Sequence, residues 1–371
     1  MRKLRAIAMI GAGAAAATIV VTLTGTTTSS YEQAIAYTKT RPAFTPTRTV
    51  NVSSAGALKS AIANLRPGDL VRASTAFTVS SGSTDPLVIA NRLSAPAVID
   101  LTNVKIVYTG TGQYSDAWIR NIQNVRIYGG DLSMTHPTSG GGSCIAWTAS
   151  QHSLWWGFKA HDCGSGGIEI FTAGPTYTYH GPVSYDDIQG EIGHFSLNRG
   201  KFDPHAEKCT GVHGANLSDN NWFPFDHNRI ALYVHDSPCT GGGIEFGAAK
   251  SPTTSPPGPI PITNTIYLKC VNLTFVSTLQ EGGNCYQAWG YGMLYTKVEY
   301  LEASNITGHA YWAGGLYSKS TSGKTALATN TLEFGRASNT NLNPRYRTQA
   351  IWDRTGGTVF RDVQPARSRR P

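Results

Sequence analysis

The sequence predicts an all-β fold in which short strands wind into a solenoid, and composition, repetition and alternation carry that prediction. The chain holds 40 glycines in 371 residues and only 15% charged residues, a balance that favours many turns over long helices. Its strands fall into two recurring phrases. One is Gly166-Gly167-Ile168-Glu169, repeated as Gly242-Gly243-Ile244-Glu245, with a variant at Thr210-Gly211-Val212-His213. The other opens on Asn and then alternates apolar residues: Asn228-Arg229-Ile230-Ala231-Leu232, Asn264-Thr265-Ile266-Tyr267-Leu268 and Asn330-Thr331-Leu332-Glu333-Phe334. Looser versions stand at Asn124-Val125 and Thr296-Lys297-Val298. The phrases interleave as His213, Ile230, Glu245, Ile266, Gln287, Val298, Trp312 and Leu332, without hairpin turns between them. That order suits coils that each give one strand to each face.

From the N-terminus, Arg2, Lys3 and Arg5 precede an uncharged run from Ala6 to about Val21, so residues 1–30 read as a signal peptide. No other stretch is long and apolar enough to span a bilayer. The expectation is a secreted protein with no stable membrane association once the leader is removed. Residues 31–50 form a Thr/Pro/Arg linker without hydrophobic period. Ala57–Leu65 then carries Leu58, Ile62 and Leu65 at helical spacing, and Arg66-Pro67-Gly68-Asp69 stops the helix. This helix should close the N-terminal end of the solenoid. The β domain occupies residues 51–362, and a basic tail, 363–371, follows.

Removing Arg2, Lys3 and Arg5 lowers the formal charge from +8 to about +5, and no long basic run remains to suggest nucleic acid. Six cysteines without a Cys-x-x-Cys pair favour disulfides in an exported chain. Their spacing before the repeated phrases predicts that Cys209 bonds to Cys239, with Cys163 as the alternative partner, and that Cys270 bonds to Cys285.

If the first phrase stacks coil on coil, Ile168, Val212 and Ile244 face a core while Glu169, His213 and Glu245 form an outward column. Two carboxyls two rungs apart come within the ~6.5–9.5 Å of an inverting glycosidase, where one protonates the leaving oxygen and the other activates water. His213 would tune them or act as a base itself. Asp203 and Glu207, in the dense segment Lys201–Cys209, are the substitutes for a second acid, and Lys208 is a substrate clamp. Arg229, Gln287, Trp222, Trp289 and Trp312 are the other substrate-binding candidates, with Trp147, Tyr177 and Tyr179 as further aromatic surfaces, since flat rings suit the apolar faces of sugars. The loops Thr172–Tyr185 and Ala248–Pro261 follow Glu169 and Glu245 directly and would wall a groove.

The segments His161-Asp162-Cys163 and His235-Asp236-Ser237-Pro238-Cys239 repeat a His/acid/Cys theme. Calcium is the one cofactor such carboxylates suggest, but no loop alone has the oxygen density it needs, so no metal ligand is assigned. Nucleotide, phosphate and nucleophile-elbow motifs are missing from the chain.

A leader, one helix of the form Ala57-Leu58-Lys59-Ser60-Ala61-Ile62 ending at Pro67-Gly68-Asp69, and then irregular coils with Asn-led strands together resemble the right-handed parallel β-helix proteins of the pectate-lyase-like superfamily. The resemblance covers about Val52 to Phe360. It implies the fold and a polysaccharide substrate. Neither the Arg-x-Pro-x-x-Arg stretch of pectate lyases nor the Gly-His-Gly and Arg-x-Lys pair of polygalacturonases occurs, and Asp186-Asp187 alone is similar to the paired aspartates of the latter. The expected function is therefore a secreted glycoside hydrolase that degrades polysaccharide. The alternative is a polysaccharide lyase acting on a uronate-containing polymer, with Lys208, His213 or Arg229 taking the proton. A non-catalytic carbohydrate-binding or adhesion module is the third reading.

Overall fold

The computed structural model describes residues 41–82, 85–109, 117–135, 143–163, 166–171, 181–193, 210–213, 225–238, 242–247, 264–274, 284–289, 296–314, 331–338, 351–353 and 359–364. The first coils hold β1 (Arg48–Val52), α1 (Ala55–Ala63), β2 (Asp69–Ala73), β3 (Phe77–Ser81), β4 (Leu87–Ile89), β5 (Arg92–Tyr108) and β6 (Ala117–Met134). The middle coils hold β7 (Ile145–Gln151), β8 (Leu154–His161), β9 (Ile168–Phe171), β10 (Val183–Ser184), β11 (Asp187–Gly193), β12 (Thr210–His213), β13 (Phe225–Asp226) and β14 (Arg229–Pro238). The last hold β15 (Gly242–Gly247), β16 (Asn264–Thr274), β17 (Asn284–Trp289), β18 (Thr296–Ser304), β19 (Tyr311–Gly314), β20 (Thr331–Ser338), β21 (Ile351–Asp353) and β22 (Val359–Gln364).

Every strand pairing among the described residues is parallel, and the pairings run in two long ladders. One is β1-β2-β5-β6-β8-β11-β14-β16-β18-β20-β22. The other is β4-β6-β7-β9-β12-β15-β17-β19-β21. The two recurring phrases of the sequence occupy different ladders. The chain is thus an all-β parallel β-helix, as the alternation predicts.

Its core is a set of columns, one residue per coil. Val71, Ile99, Ile127, Trp155, Ile188, Ile230, Ile266, Val298 and Leu332 pair in succession, and each is buried. No coil could bury these side chains alone, so stacking and burial are one event. Each large aliphatic removed from water contributes about 1.5–3 kcal/mol. Where a ring enters the column the neighbouring rung gives way: a Cβ at Gly190 would lie 2.4 Å from the Phe158 ring, so only glycine fits there.

Helix α1 starts two residues before the predicted position because Ser54 accepts a hydrogen bond from the Ala57 N–H, 3.3 Å, and caps it. It ends at Ala63, with Leu65 buried in the turn that follows. Leu58 and Ile62 enter the common core, and the helix contacts β1 to β4 at the first coil. In the stop that follows, Gly68 takes φ +82°, and the Asp69 carboxylate accepts from the Arg66 N–H at 2.8 Å and from Arg48 Nε at 2.6 Å. The Arg48 guanidinium holds the Asp69 pKa below the usual carboxylate value.

The Asn-led phrase marks a buried hydrogen-bond ladder at one turn of each coil. Asn264 Oδ1 accepts from the Asn228 N–H, and Asn228 Oδ1 accepts from the Asp186 N–H, both at 3.0 Å. Asp186 Oδ1 in turn accepts from the Ser153 N–H at 2.9 Å, and Ser153 Oγ from the Val125 N–H at 3.3 Å. The residue before each rung, Asn124, His152, Tyr185 or His227, takes a positive φ. Asn124 therefore belongs to this left-handed position and not to the ladder itself. The rings of His152, Tyr185 and His227 stack on the outside, with centroids 4.9 and 4.6 Å apart.

Two disulfides join described residues, Cys144–Cys163 and Cys270–Cys285. The second is the predicted pair. The first removes Cys163 as a partner for Cys209, because the β7–β8 coil brings Cys144 to a Cα distance of 5.4 Å. Cys209 and Cys239 lie outside the described residues.

Asp186 is the unusual rung. It is 1% exposed, receives hydrogen bonds from Ser150 Oγ and, at 3.1 Å, from Trp147 Nε1, and burial pushes its carboxyl up to about 7. The folded chain thus keeps this proton where the unfolded chain, at the ordinary carboxylate value, has lost it. Between about pH 4 and pH 7 the folded form binds more protons, so this group's contribution makes stability fall as pH rises through that window. Asp186→Asn restores the side chain of the next two rungs and should flatten that fall, raising stability at pH 8 by about 1–3 kcal/mol relative to the parent. Urea melts of both proteins at pH 5 and pH 8 read this directly; an equal loss in both would contradict it.

Candidate active site

The strip that carries the predicted pair is the edge where β9, β12 and β15 run side by side. All three are adjacent and parallel, as expected, but their register differs from the expected one. Glu169 pairs with Gly211, and Gly211 with Glu245. His213 pairs with Phe171 and Gly247, two residues further along. The Glu-His-Glu column is therefore a Glu-Gly-Glu column with His213 beside it. The reason is physical: a slip by two residues leaves every apolar side chain on its own face, so alternation alone cannot exclude it.

Ladder spacing of ~4.8 Å puts the Glu169 and Glu245 backbones about 9–10 Å apart, with a rung that lacks a side chain between them. Glu169 is half-buried. The same register position continues through Gln287, Trp312 and Trp352. Trp289 stands on the His213 position, next to Gly247. Trp352 is not among the candidates that the sequence offers. Its signal was available, since Ile351-Trp352 repeats the Tyr311-Trp312 order one rung below.

Other candidates fall elsewhere. Asp203, Glu207, Lys208, Trp222, Tyr177 and Tyr179 lie outside the described residues, as do most of the two long loops. Arg229 is on β14, in the other ladder, and does not join the Glu169 strip. Its guanidinium sits 4.5 Å over the Tyr267 ring with Asp187 nearby, and burial lowers its pKa while burial raises that of Asp187 to about 6. Trp147 is fully buried, so it offers no sugar platform. The Asp186-Asp187 pair is divided by the strand itself: Asp186 faces the interior ladder, whereas Asp187 is only partly buried.

The His/acid segments do stack, but as closed pairs. His161 meets Asp162 at 3.1 Å through Nδ1 and Asp131 at 2.9 Å through Nε2. His235 meets Asp236 at 2.8 Å and Glu191 at 3.1 Å in the same manner. Gly193 occupies the rung between them, where a Cβ would lie 2.7 Å from the His235 ring. Both nitrogens of each ring are engaged by carboxylates. Among the described residues no three His, Cys, Asp or Glu side chains converge to hold a metal ion.

No protein-family model matches the chain, and no curated protein does. Among solved structures, the crystal structure of pectate lyase Pel9A is similar to it, at 11% identity over 87% of this chain and 78% of that one, with a TM-score of 0.47.

Proposed function

We propose that this protein cleaves a polysaccharide at the edge formed by β9, β12 and β15. The observation that carries the proposal is the pairing of Glu169 and Glu245 with one glycine, Gly211. Two carboxyls across an empty rung fit hydrolysis with inversion, whose pair stands ~6.5–9.5 Å apart to admit a water. One glutamic acid gives its proton to the glycosidic oxygen as the C1–O bond breaks. The other takes a proton from the water whose oxygen forms the new bond to C1. Gln287, Trp312 and Trp352, further along the same register, would receive the neighbouring sugars.

A second reading is elimination on a uronate, and the position of His213 favours it. His213 pairs in register with Phe171 and Gly247 and not with Glu169 or Glu245, which supports a role as a separate base over one as a tuner of the two acids. Such a base would take the C5 proton next to the uronate carboxylate while the C4–O bond breaks, a C4–C5 double bond forms and the departing oxygen takes up a proton from water.

The two chemistries leave different ends. Hydrolysis should release reducing ends from a polysaccharide without ultraviolet absorbance, and Glu169→Gln and Glu245→Gln should each lower that rate by about 10² or more. Stability should shift by no more than about 0.5 kcal/mol, since neither change opens a cavity. Absorbance that survives both changes and disappears in His213→Ala would establish elimination instead. Binding of polymer without any product would sink both readings.

Filling the empty rung is an independent check. Gly211→Leu puts a side chain between the carboxyls and should cut turnover by at least about tenfold through misplacement of the sugar, with the thermal midpoint measured alongside. Unchanged turnover in a folded variant would mean the space over Gly211 is not used.

A further inference from the structure

The other ladder carries a concave outer face that the cleavage proposal does not use. Strand β8 bends at Gly157, which has φ +76° and would place a Cβ within 4 Å of nothing, and the pairing register shifts between Gln189 and Gly190. Such irregularities re-aim a strand. Here they accompany a groove of about 480 Å³ across β8, β11, β14, β16 and β18, within the range of ~300–1,000 Å³ typical of small-molecule sites.

Aromatic side chains line it: Trp156 near one end, Tyr267 and Tyr300 near the other, and Tyr233 between. Along one register row the order is Trp156, Gln189, Ala231, Tyr267 and Tyr300. Ala231, Tyr267 and Tyr300 of that row pack on one another as a buried cluster and form the floor, so Trp156 and the exposed Tyr233 are the rings a ligand would meet. The rings are fixed in advance. Tyr267 donates its hydroxyl hydrogen bond to Glu299 and Tyr300 donates to Glu302, while Tyr233 stacks on His235 at 4.4 Å. A ligand would meet little ordering cost on such a surface.

The charges of the wall select the ligand further. Its ionised groups are Lys159 paired with Glu191 at 3.6 Å and Lys269 paired with Glu302 at 3.2 Å. Two cations and two anions cancel, so a polyanion gains no net attraction, whereas hydroxyl groups find donors and acceptors in alternation. Aromatic faces for apolar C–H surfaces and paired charges for hydroxyls are the two halves of a sugar.

We propose that this groove is a second, non-catalytic carbohydrate site that takes a neutral oligosaccharide. It uses strands that do not include β9, β12 or β15, so its occupancy is independent of the Glu169 and Glu245 chemistry. The test is calorimetric titration of the full chain, and of the Glu169→Gln/Glu245→Gln variant, with cellohexaose, xylohexaose, mannohexaose and laminarihexaose, and with hexagalacturonate as the acidic comparison. At least one neutral hexasaccharide should bind both proteins with Kd on the order of 0.1–1 mM. Trp156→Ala and Tyr233→Ala, which each remove a ring that a ligand would meet, should each weaken binding by about tenfold. Melting curves establish that both variants fold. No neutral binding up to ~10 mM, binding unchanged in folded Tyr233→Ala and Trp156→Ala, or tighter binding of hexagalacturonate would each overturn the proposal.

Discussion

Each coil can bury its apolar side chains only by lying on the next in parallel register, because a single turn of chain has no interior of its own. The nine-residue column from Val71 to Leu332 is the material form of that constraint. Everything outside the core inherits its position from it. A residue one place along a strand from a buried isoleucine faces outward, and its neighbours on the adjacent rungs stand ~4.8 Å away. Glu169, Gly211 and Glu245 are brought into one register by that rule. The same rule gives the other face its row from Trp156 to Tyr300.

Polar groups complete the stack where the backbone turns. The sequence of acceptors Asn264, Asn228, Asp186 and Ser153 lets a buried turn satisfy the N–H of the coil before it, at a place where strand pairing is interrupted. Asp186 does this at an electrostatic cost that its neighbours avoid, and Ser150 and Trp147 soften that cost by donating to it. The histidines of the opposite corner, His161 and His235, are held in the same spirit by acids on both sides.

The core was legible in the sequence because Ile230, Ile266, Val298 and Leu332 repeat at fixed places in the Asn-led phrase, and a period of two admits only one face. The register of His213 was not, because a slip by two preserves that period. Trp147 was misread as a platform although it shares parity with Ile145, which is the signal that places it inside. Arg229 shares the phrase of Ile230 and so belonged to the other ladder from the start. The aromatic groove was invisible for a different reason: Trp156, Ala231, Tyr267 and Tyr300 are far apart in sequence and become a row only once the coils are aligned. The helix was found but displaced, since its start depends on Ser54 as a cap and not on the spacing of Leu58 and Ile62.

In the proposed cleavage, Glu169 and Glu245 would face one sugar linkage across Gly211. The most direct measurement is a crystal structure of the Glu169→Gln variant soaked with an oligosaccharide that the parent degrades. Cleavage by this pair requires a glycosidic oxygen over Gly211 within hydrogen-bond reach of residue 169 or of Glu245, with the opposed carboxyl ~6.5–9.5 Å away. A sugar chain that passes elsewhere, with neither position 169 nor Glu245 near a glycosidic oxygen, would contradict it.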